Sequence, residues 1–143
     1  MLRILIVEDE PVNREFLRLS LRGLGDCLAV SSGEDAVAAQ RTALEQNQPF
    51  DVVFLDIMLP GINGLQALEQ LRALEDRHGV PQERRVPVII TTTLDDDKTA
   101  SRAFIHGQAV SYMTKPFRAA QIREELSKLG LLGCWAEAPA PGS

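Results

Sequence analysis

Cysteine is scarce in this sequence: Cys27 and Cys134 are the two among 143 residues. With no secretory segment beside them, that count argues against a disulfide framework. Cys27 reads as a buried thiol in a strand and Cys134 as a tail residue. Long apolar runs are missing too. The first spans only Ile4 to Val7 before Glu8, Asp9 and Glu10 intervene. That is neither a signal peptide nor the ~20-residue stretch of a membrane-crossing helix, so a cytoplasmic protein without membrane insertion is expected. Positive charge is in the minority, with 15 Lys+Arg against 20 Asp+Glu and a net charge of −5. Nucleic-acid backbones require the opposite balance, so direct nucleic-acid binding is not expected. Glycine-rich phosphate loops are absent: Gly23-Leu-Gly25 lacks a third Gly and precedes a strand, and there is no P-loop. Asp95-Asp-Asp97 has no EF-hand spacing after it and reads as a solvated helix start. His78 and His106 lie in polar surroundings and read as surface residues.

What the sequence does have is alternation. Its length matches one domain with a sizeable core. Short apolar runs stand at Ile4-Leu-Ile-Val7, Cys27-Leu-Ala-Val30, Val52-Val-Phe-Leu55, Val86-Pro-Val-Ile-Ile90 and Val110-Ser-Tyr-Met113. Their lack of polar alternation predicts strands covered on both faces. Helical periods lie between them. Residues 12–24 place Val12, Phe16 and Leu19 with Leu17, Leu21 and Leu24 on one broad stripe. Ser32-Gly-Glu-Asp35 has the form of a capping box and opens a helix to about Asn47. Asn63-Gly-Leu-Gln66 opens a third helix, with Leu65, Leu68 and Leu71 inward. A fourth, acidic at its start, is expected from Asp95 to about Ile105. In the fifth, Ala119, Ile122, Leu126 and Leu129 form the stripe and Gly130 ends it. Five β-α repeats imply a parallel sheet with helices on both faces and right-handed crossovers. Residues 75–85 read as a long, charged, exposed excursion, and the Pro-Ala end after Trp135 as disordered.

In such a sheet all strand C-termini share one edge, and ligands bind there. The residues at those ends are Glu8-Asp9-Glu10, Ser31-Ser32, Asp56, Thr91-Thr92-Thr93 and Lys115-Pro116. Crowded carboxylates raise one another's pKa unless a cation sits among them. An all-oxygen site without His or Cys suits Mg2+ or Mn2+ and not zinc. A metal and Lys115 facing one carboxylate make a place for a phosphoryl group. A carboxylate can attack phosphorus to give an aspartyl phosphate, and Asp56, at the end of the central apolar strand, is the best nucleophile.

Four segments now fall in order: Glu8-Asp9, Asp56-Ile-Met-Leu-Pro-Gly-Ile-Asn-Gly64, Pro87-Val-Ile-Ile-Thr-Thr92 and Tyr112-Met-Thr-Lys-Pro-Phe117. Together they resemble the receiver domain of two-component response regulators, of the single-domain chemotaxis-regulator kind, over residues 2–129. The resemblance implies an α/β, flavodoxin-like (β/α)5 fold: a doubly wound five-stranded parallel sheet in strand order 2-1-3-4-5. That domain takes residues 1–129 and leaves 130–143 as a tail. It further implies that Asp56 accepts a phosphoryl group from a sensor histidine kinase or histidine phosphotransfer protein. Asp9 and Asp56 would ligate Mg2+, with Glu8 helping through water and the Met58 backbone carbonyl completing the protein ligands. Lys115 would pair with the phosphoryl oxygens, and Pro116 after it would be cis. Thr92 would turn its hydroxyl toward the phosphoryl group, and Tyr112 would swing into the space vacated. Phosphorylation adds about 1.5–2 negative charges. It thereby biases one of two arrangements of the fourth strand, fourth helix and fifth strand. The surface of the fourth helix, fifth strand and fifth helix is the expected output face toward a downstream protein, and a dimer formed on phosphorylation is left open. The chain is expected to be a phosphoacceptor that assists its own phosphorylation and dephosphorylation, not an enzyme with a separate substrate. At this length, with no DNA-recognition helix after Leu129, a single-domain regulator acting through protein contacts is expected.

The sequence also departs from the family pattern. Thr93 stands where a small Ala or Gly is usual. Met58 and Leu94 flank the site with bulky apolar groups that hinder attacking water, so slow loss of phosphate is expected. Two other functions fit parts of the pattern. Haloacid-dehalogenase-like phosphatases also use a strand-end Asp, but with a second Asp two residues later, where Met58 stands. A receiver used only as a constitutive binding module has no need of Asp56, Thr92 and Lys115 together.

Overall fold

The computed structural model describes residues 2–93, 109–116 and 118–131. The expected fourth helix, Leu94, the acidic run 95–97, His106, and the tail with Cys134 and Trp135 lie outside the described residues. Within them the chain runs β1 (Leu2–Val7), α1 (Pro11–Ser20), β2 (Gly25–Val30), α2 (Gly33–Glu45), β3 (Val52–Asp56) and α3 (Gly64–Arg77). A single 3-10 turn (Gln82–Arg84) leads to β4 (Val88–Thr92), then β5 (Ser111–Thr114) and α4 (Ala119–Lys128), which is the fifth helix of the sequence reading. All five strands are parallel, in the order β2-β1-β3-β4-β5 expected of the flavodoxin-like fold.

The apolar runs form the middle of the sheet. β3 and β4 are buried along their whole lengths, and β1 over its last four residues. Alternate residues feed two cores. Leu5, Val7, Val53, Leu55 and Ile90 pack on one face with Ala36 and Ala43 of α2 and Leu68 of α3. Ile4, Ile6, Phe54, Ile89 and Met113 pack on the other with Leu17 of α1 and Ile122 and Leu126 of α4. β2 departs from the expectation of two covered faces: as an edge strand it alternates, and Leu28 is 46% exposed. Cys27 beside it is half-buried, and burial raises its thiol pKa.

The expected single stripe on the first helix splits in two. Leu17, Leu21 and Leu24 are buried, whereas Val12 is 74%, Phe16 39% and Leu19 54% exposed. The helix expected over residues 12–24 ends at Ser20, so Leu21 and Leu24 are buried from the turn beyond it. Within α1, buried Leu17 is offset from exposed Val12 by five residues, about 140° around a helix of 3.6 residues per turn. Helix starts follow their caps. Ser32 Oγ accepts from the Asp35 N–H at 3.1 Å, one half of the expected box. At Asn63 and Gln66 the box is complete, with both reciprocal bonds at 2.9 Å. α2 stops at Glu45, and Asn47 turns the chain away at φ 57°.

Residues 75–85 are not a free excursion. Glu75 is 1% exposed, inside α3. Its Oε1 accepts from Arg72 Nη1 at 2.7 Å and its Oε2 from the Val86 N–H at 2.7 Å. Arg72 Nη1 also donates to the Val86 carbonyl at 2.8 Å. The ends of the segment are therefore bolted together, and only its middle is exposed. The arginine and the backbone N–H offset the desolvation cost of burying the Glu75 carboxylate.

One glycine positions the site. A Cβ on Gly64 would strike the Asp56 carbonyl oxygen and lie 2.6 Å from Ile57 Cα. Gly64→Ala is therefore expected to cost about 1–3 kcal/mol or more, because the obstacle is backbone with little room to yield. Equal urea midpoints for the variant and the parent chain would refute this.

Candidate phosphoryl site at the sheet edge

Buried strands deliver their end residues to one place. β1 and β3 are in register at Val7–Leu55, so Glu8 and Asp56, one residue further on, emerge side by side. Lys115 follows β5 directly, and its N–H donates to the Thr92 carbonyl at 2.6 Å. The Lys115–Pro116 peptide is cis. Glu8 is fully buried and Asp56 is 2% exposed, while Asp9 is exposed.

Lys115 Nζ lies 2.9 Å from Glu8 Oε1 and 3.2 Å from Asp56 Oδ2, bridging the two buried carboxylates. Asp56 Oδ1 accepts from the Met58 N–H at 3.1 Å, and Glu8 Oε2 from the Glu10 N–H at 3.2 Å. Carboxylate oxygens of Glu8, Asp9 and Asp56 all lie within 4.8 Å of one another. Burial, then the nearby charge of Glu8, pushes the Asp56 carboxyl up to about 7, with Lys115 opposing. Burial alone lowers the Lys115 ammonium, but its bonds and charge contacts with Glu8 and Asp56 prevail and raise it. The arrangement is an anionic cluster one cation short of neutrality. Its donor set is oxygen only, which fits a hard divalent cation.

Glu8, Asp9, Asp56 and Lys115 are thus brought together, and the Met58 backbone meets them through its N–H. Thr92 is buried, but its hydroxyl donates to the Thr93 carbonyl at 3.1 Å. Tyr112, paired with Ile90 across the sheet, is half-buried against the core. Sequence reasoning missed Arg14, whose Nη1 donates to the carbonyls of Glu8 at 3.0 Å and Asp9 at 3.4 Å, pinning the acidic loop. The available signal was its place one turn into the helix after those residues. It also missed Glu34, which accepts from the Ile62 N–H at 3.3 Å and so ties the loop after Asp56 to α2.

A doubly wound parallel sheet with a lysine-bridged carboxylate pocket at its strand ends defines a class of phosphoryl-handling α/β domains. Within that class the chain belongs to the response regulator receiver domain family, whose model matches residues 4–127. It is 32% identical over 130 residues to the sensor histidine kinase GacS of Pseudomonas protegens, covering 88% of this chain and 13% of that protein. It is 29% identical over 130 residues to the probable C4-dicarboxylate response regulator DctR of Bacillus subtilis, covering 88% of this chain and 51% of DctR. This chain therefore spans about half or less of the length of these relatives. Among solved structures it is similar to the receiver domain of the sensor histidine kinase PA1611 from Pseudomonas aeruginosa, with a TM-score of 0.71 and 30% identity. That match covers 89% of this chain and 95% of the other, which has a magnesium ion coordinated in its active-site cleft. The chain is a receiver domain of two-component signalling, a class that takes phosphoryl groups from histidine kinases. Among the described residues no helix is long and apolar enough to cross a membrane.

Proposed function

We propose that this chain is a phosphorylation-controlled switch in which Asp56 accepts a phosphoryl group from a histidine kinase or histidine phosphotransfer protein. The observation that carries the reading is the buried Asp56 carboxylate held between the Met58 N–H and Lys115. Asp9 and Asp56, with Glu8 through water and the Met58 carbonyl, would hold Mg2+, which supplies the charge neutralisation the cluster lacks. Asp56 attacks phosphorus as a carboxylate, and the bond to the donor's imidazole nitrogen breaks as the new P–O bond forms. Lys115 is already placed to exchange its contact with Asp56 for one with a phosphoryl oxygen. Exposed Val12 and Phe16 line a cleft of about 220 Å³ with Lys115 and Pro116, an apolar landing surface for the donor protein beside the acceptor.

After transfer, the Thr92 hydroxyl leaves the Thr93 carbonyl for the phosphoryl group, and Tyr112 moves further into the core. β5 transmits the change to α4, to which it is tied by the Ser111 hydroxyl donating to Glu125 Oε1 at 2.6 Å. The downstream partner is a protein that reads this face, and residues 1–129 form the switch. Treating the full chain with acetyl phosphate and Mg2+ is expected to add one phosphoryl mass, absent in Asp56→Asn. No adduct on the parent chain would sink the proposal.

Met58 is 60% exposed at the rim of the site. Its apolar side chain offers attacking water no hydrogen bond, so slow hydrolysis of the aspartyl phosphate is expected. Met58→Asn is expected to hasten loss of the label several-fold, and an equal or slower rate would count against this account.

A further inference from the structure

We infer that the cavity between α2 and the α3–β4 connection is a binding site for an adenine nucleotide. This site is separate from the phosphoacceptor pocket, and nothing in the proposed phosphoryl transfer uses it. It lies near the strand N-termini, where the bolted segment after Glu75 folds over the end of α2. The cavity measures about 250 Å³.

Gln40 is the reason to look there. It lines the cavity, is 1% exposed, and its Oε1 has no hydrogen-bond partner among the described residues. A buried acceptor left unpaired is costly and asks for a donor. Glu75, which also lines the cavity, cannot supply one: its carboxylate is an acceptor already occupied by Arg72 and the Val86 N–H. The remaining walls include apolar Leu44, Val80 and Val86. Arg84, exposed on the 3-10 turn, adds a guanidinium to the lining.

These features select a ligand. The volume is below the ~300–1,000 Å³ of sites for drug-sized molecules, so one flat ring system enters and the rest projects outward. A Gln amide presents a donor and an acceptor side by side, matching the N6–H donor and N7 acceptor of adenine. The pairing requires the Gln40 amide, whose terminal torsion is soft, to turn that edge to the cavity when the ring enters. Guanine shows two acceptors on the same edge and would leave Oε1 unpaired. A guanidinium at the lining suits the phosphate of the nucleotide.

The test is titration of the full chain with AMP in EDTA-containing, Mg2+-free buffer, followed by calorimetry and by backbone amide shifts in NMR spectra. Saturable binding is expected, with shifts at Gln40, Leu44, Val80 and Val86. GMP should bind at least ~10-fold more weakly, from loss of the bidentate pairing. Gln40→Leu should abolish discrimination between the two nucleotides. Arg84→Ala, at an exposed position that the fold tolerates, should weaken AMP ~10-fold, the loss of one charge-assisted contact. A cavity filled by water only would show no saturation with AMP at millimolar concentration. That result, equal affinity for AMP and GMP in the parent chain, or shifts confined to the acidic site would each overturn the inference.

Discussion

Asp56→Asn is expected to melt at a higher temperature than the parent chain in metal-free buffer at pH 8. The reason is that the folded state holds this carboxyl near 7, against an ordinary value of 3.8, because it is buried beside Glu8. A folded-state pKa raised above the unfolded one means that the native protein binds more protons between those two values. By linkage, the contribution of this group to stability is full below about pH 4 and is lost as the pH rises through about 7. Each pKa unit is worth about 1.4 kcal/mol, so the ionised Asp56 costs the metal-free fold a few kcal/mol at pH 8. Asn removes the charge, keeps an acceptor for the Met58 N–H, and leaves Lys115 paired with Glu8. A net gain of about 2 kcal/mol would raise Tm by roughly 4–8 °C. Calorimetry in EDTA at pH 4 and pH 8 checks the sign: the advantage of the variant should be large at pH 8 and small at pH 4. Equal advantages at the two pH values, or none at either, would refute the charge account. Mg2+ should then stabilise the parent chain more at pH 8 than at pH 6, since below about 7 the ion must displace a proton.

The same tension between fold and site separates what could be read in the sequence from what could not. Strand runs such as Val52-Val-Phe-Leu55 announce burial on both faces, and parallel strands must place their end residues on one edge. Glu8, Asp56 and Lys115 were legible for that reason: Glu8 and Asp56 directly follow apolar runs, and Lys115 comes two residues after one. Side-chain partners were less legible. Glu75 in a charged stretch looks solvated until Arg72 and the Val86 N–H are seen to close on it. The sequence carries two apolar triplets of equal spacing across the first helix and the turn after it, and only the packed structure shows that Leu17 faces the core and Phe16 does not. Thr92 illustrates a further limit. Its position is set by β4, but its hydroxyl goes to whichever acceptor is present, which here is the Thr93 carbonyl. Gln40 gives no signal at all in the sequence, since one amide on a helix face is unremarkable until its Oε1 proves buried and unpaired.

Lys115→Ala is expected to lose stability chiefly in the absence of Mg2+. The ammonium is 2.9 Å from Glu8 and 3.2 Å from Asp56, and the two carboxylates are almost wholly buried. Removing one partner of a buried ion pair leaves its charge uncompensated and costs about 3–5 kcal/mol. Part of this is recovered because Asp56, whose carboxyl is held up to about 7 even with Lys115 present, takes up a proton more readily without it. The expected Tm loss in EDTA at pH 8 is therefore roughly 6–12 °C, from about 3 kcal/mol. A cation that binds only the native cluster restores stability in proportion to its saturation, by about 2.7 kcal/mol at 100 times Kd. Mg2+ also meets less repulsion once the ammonium is gone, so the variant should bind it more tightly than the parent chain. The two roles of Lys115 then part company. In saturating Mg2+ the fold is rescued, while labelling by acetyl phosphate stays slow, by on the order of 100-fold, because the preorganised charge beside the transferring phosphoryl group is missing. A Tm loss of the same size with and without Mg2+ would show that Lys115 acts through packing and not charge. Labelling at the parental rate in the rescued variant would remove it from the phosphoryl chemistry.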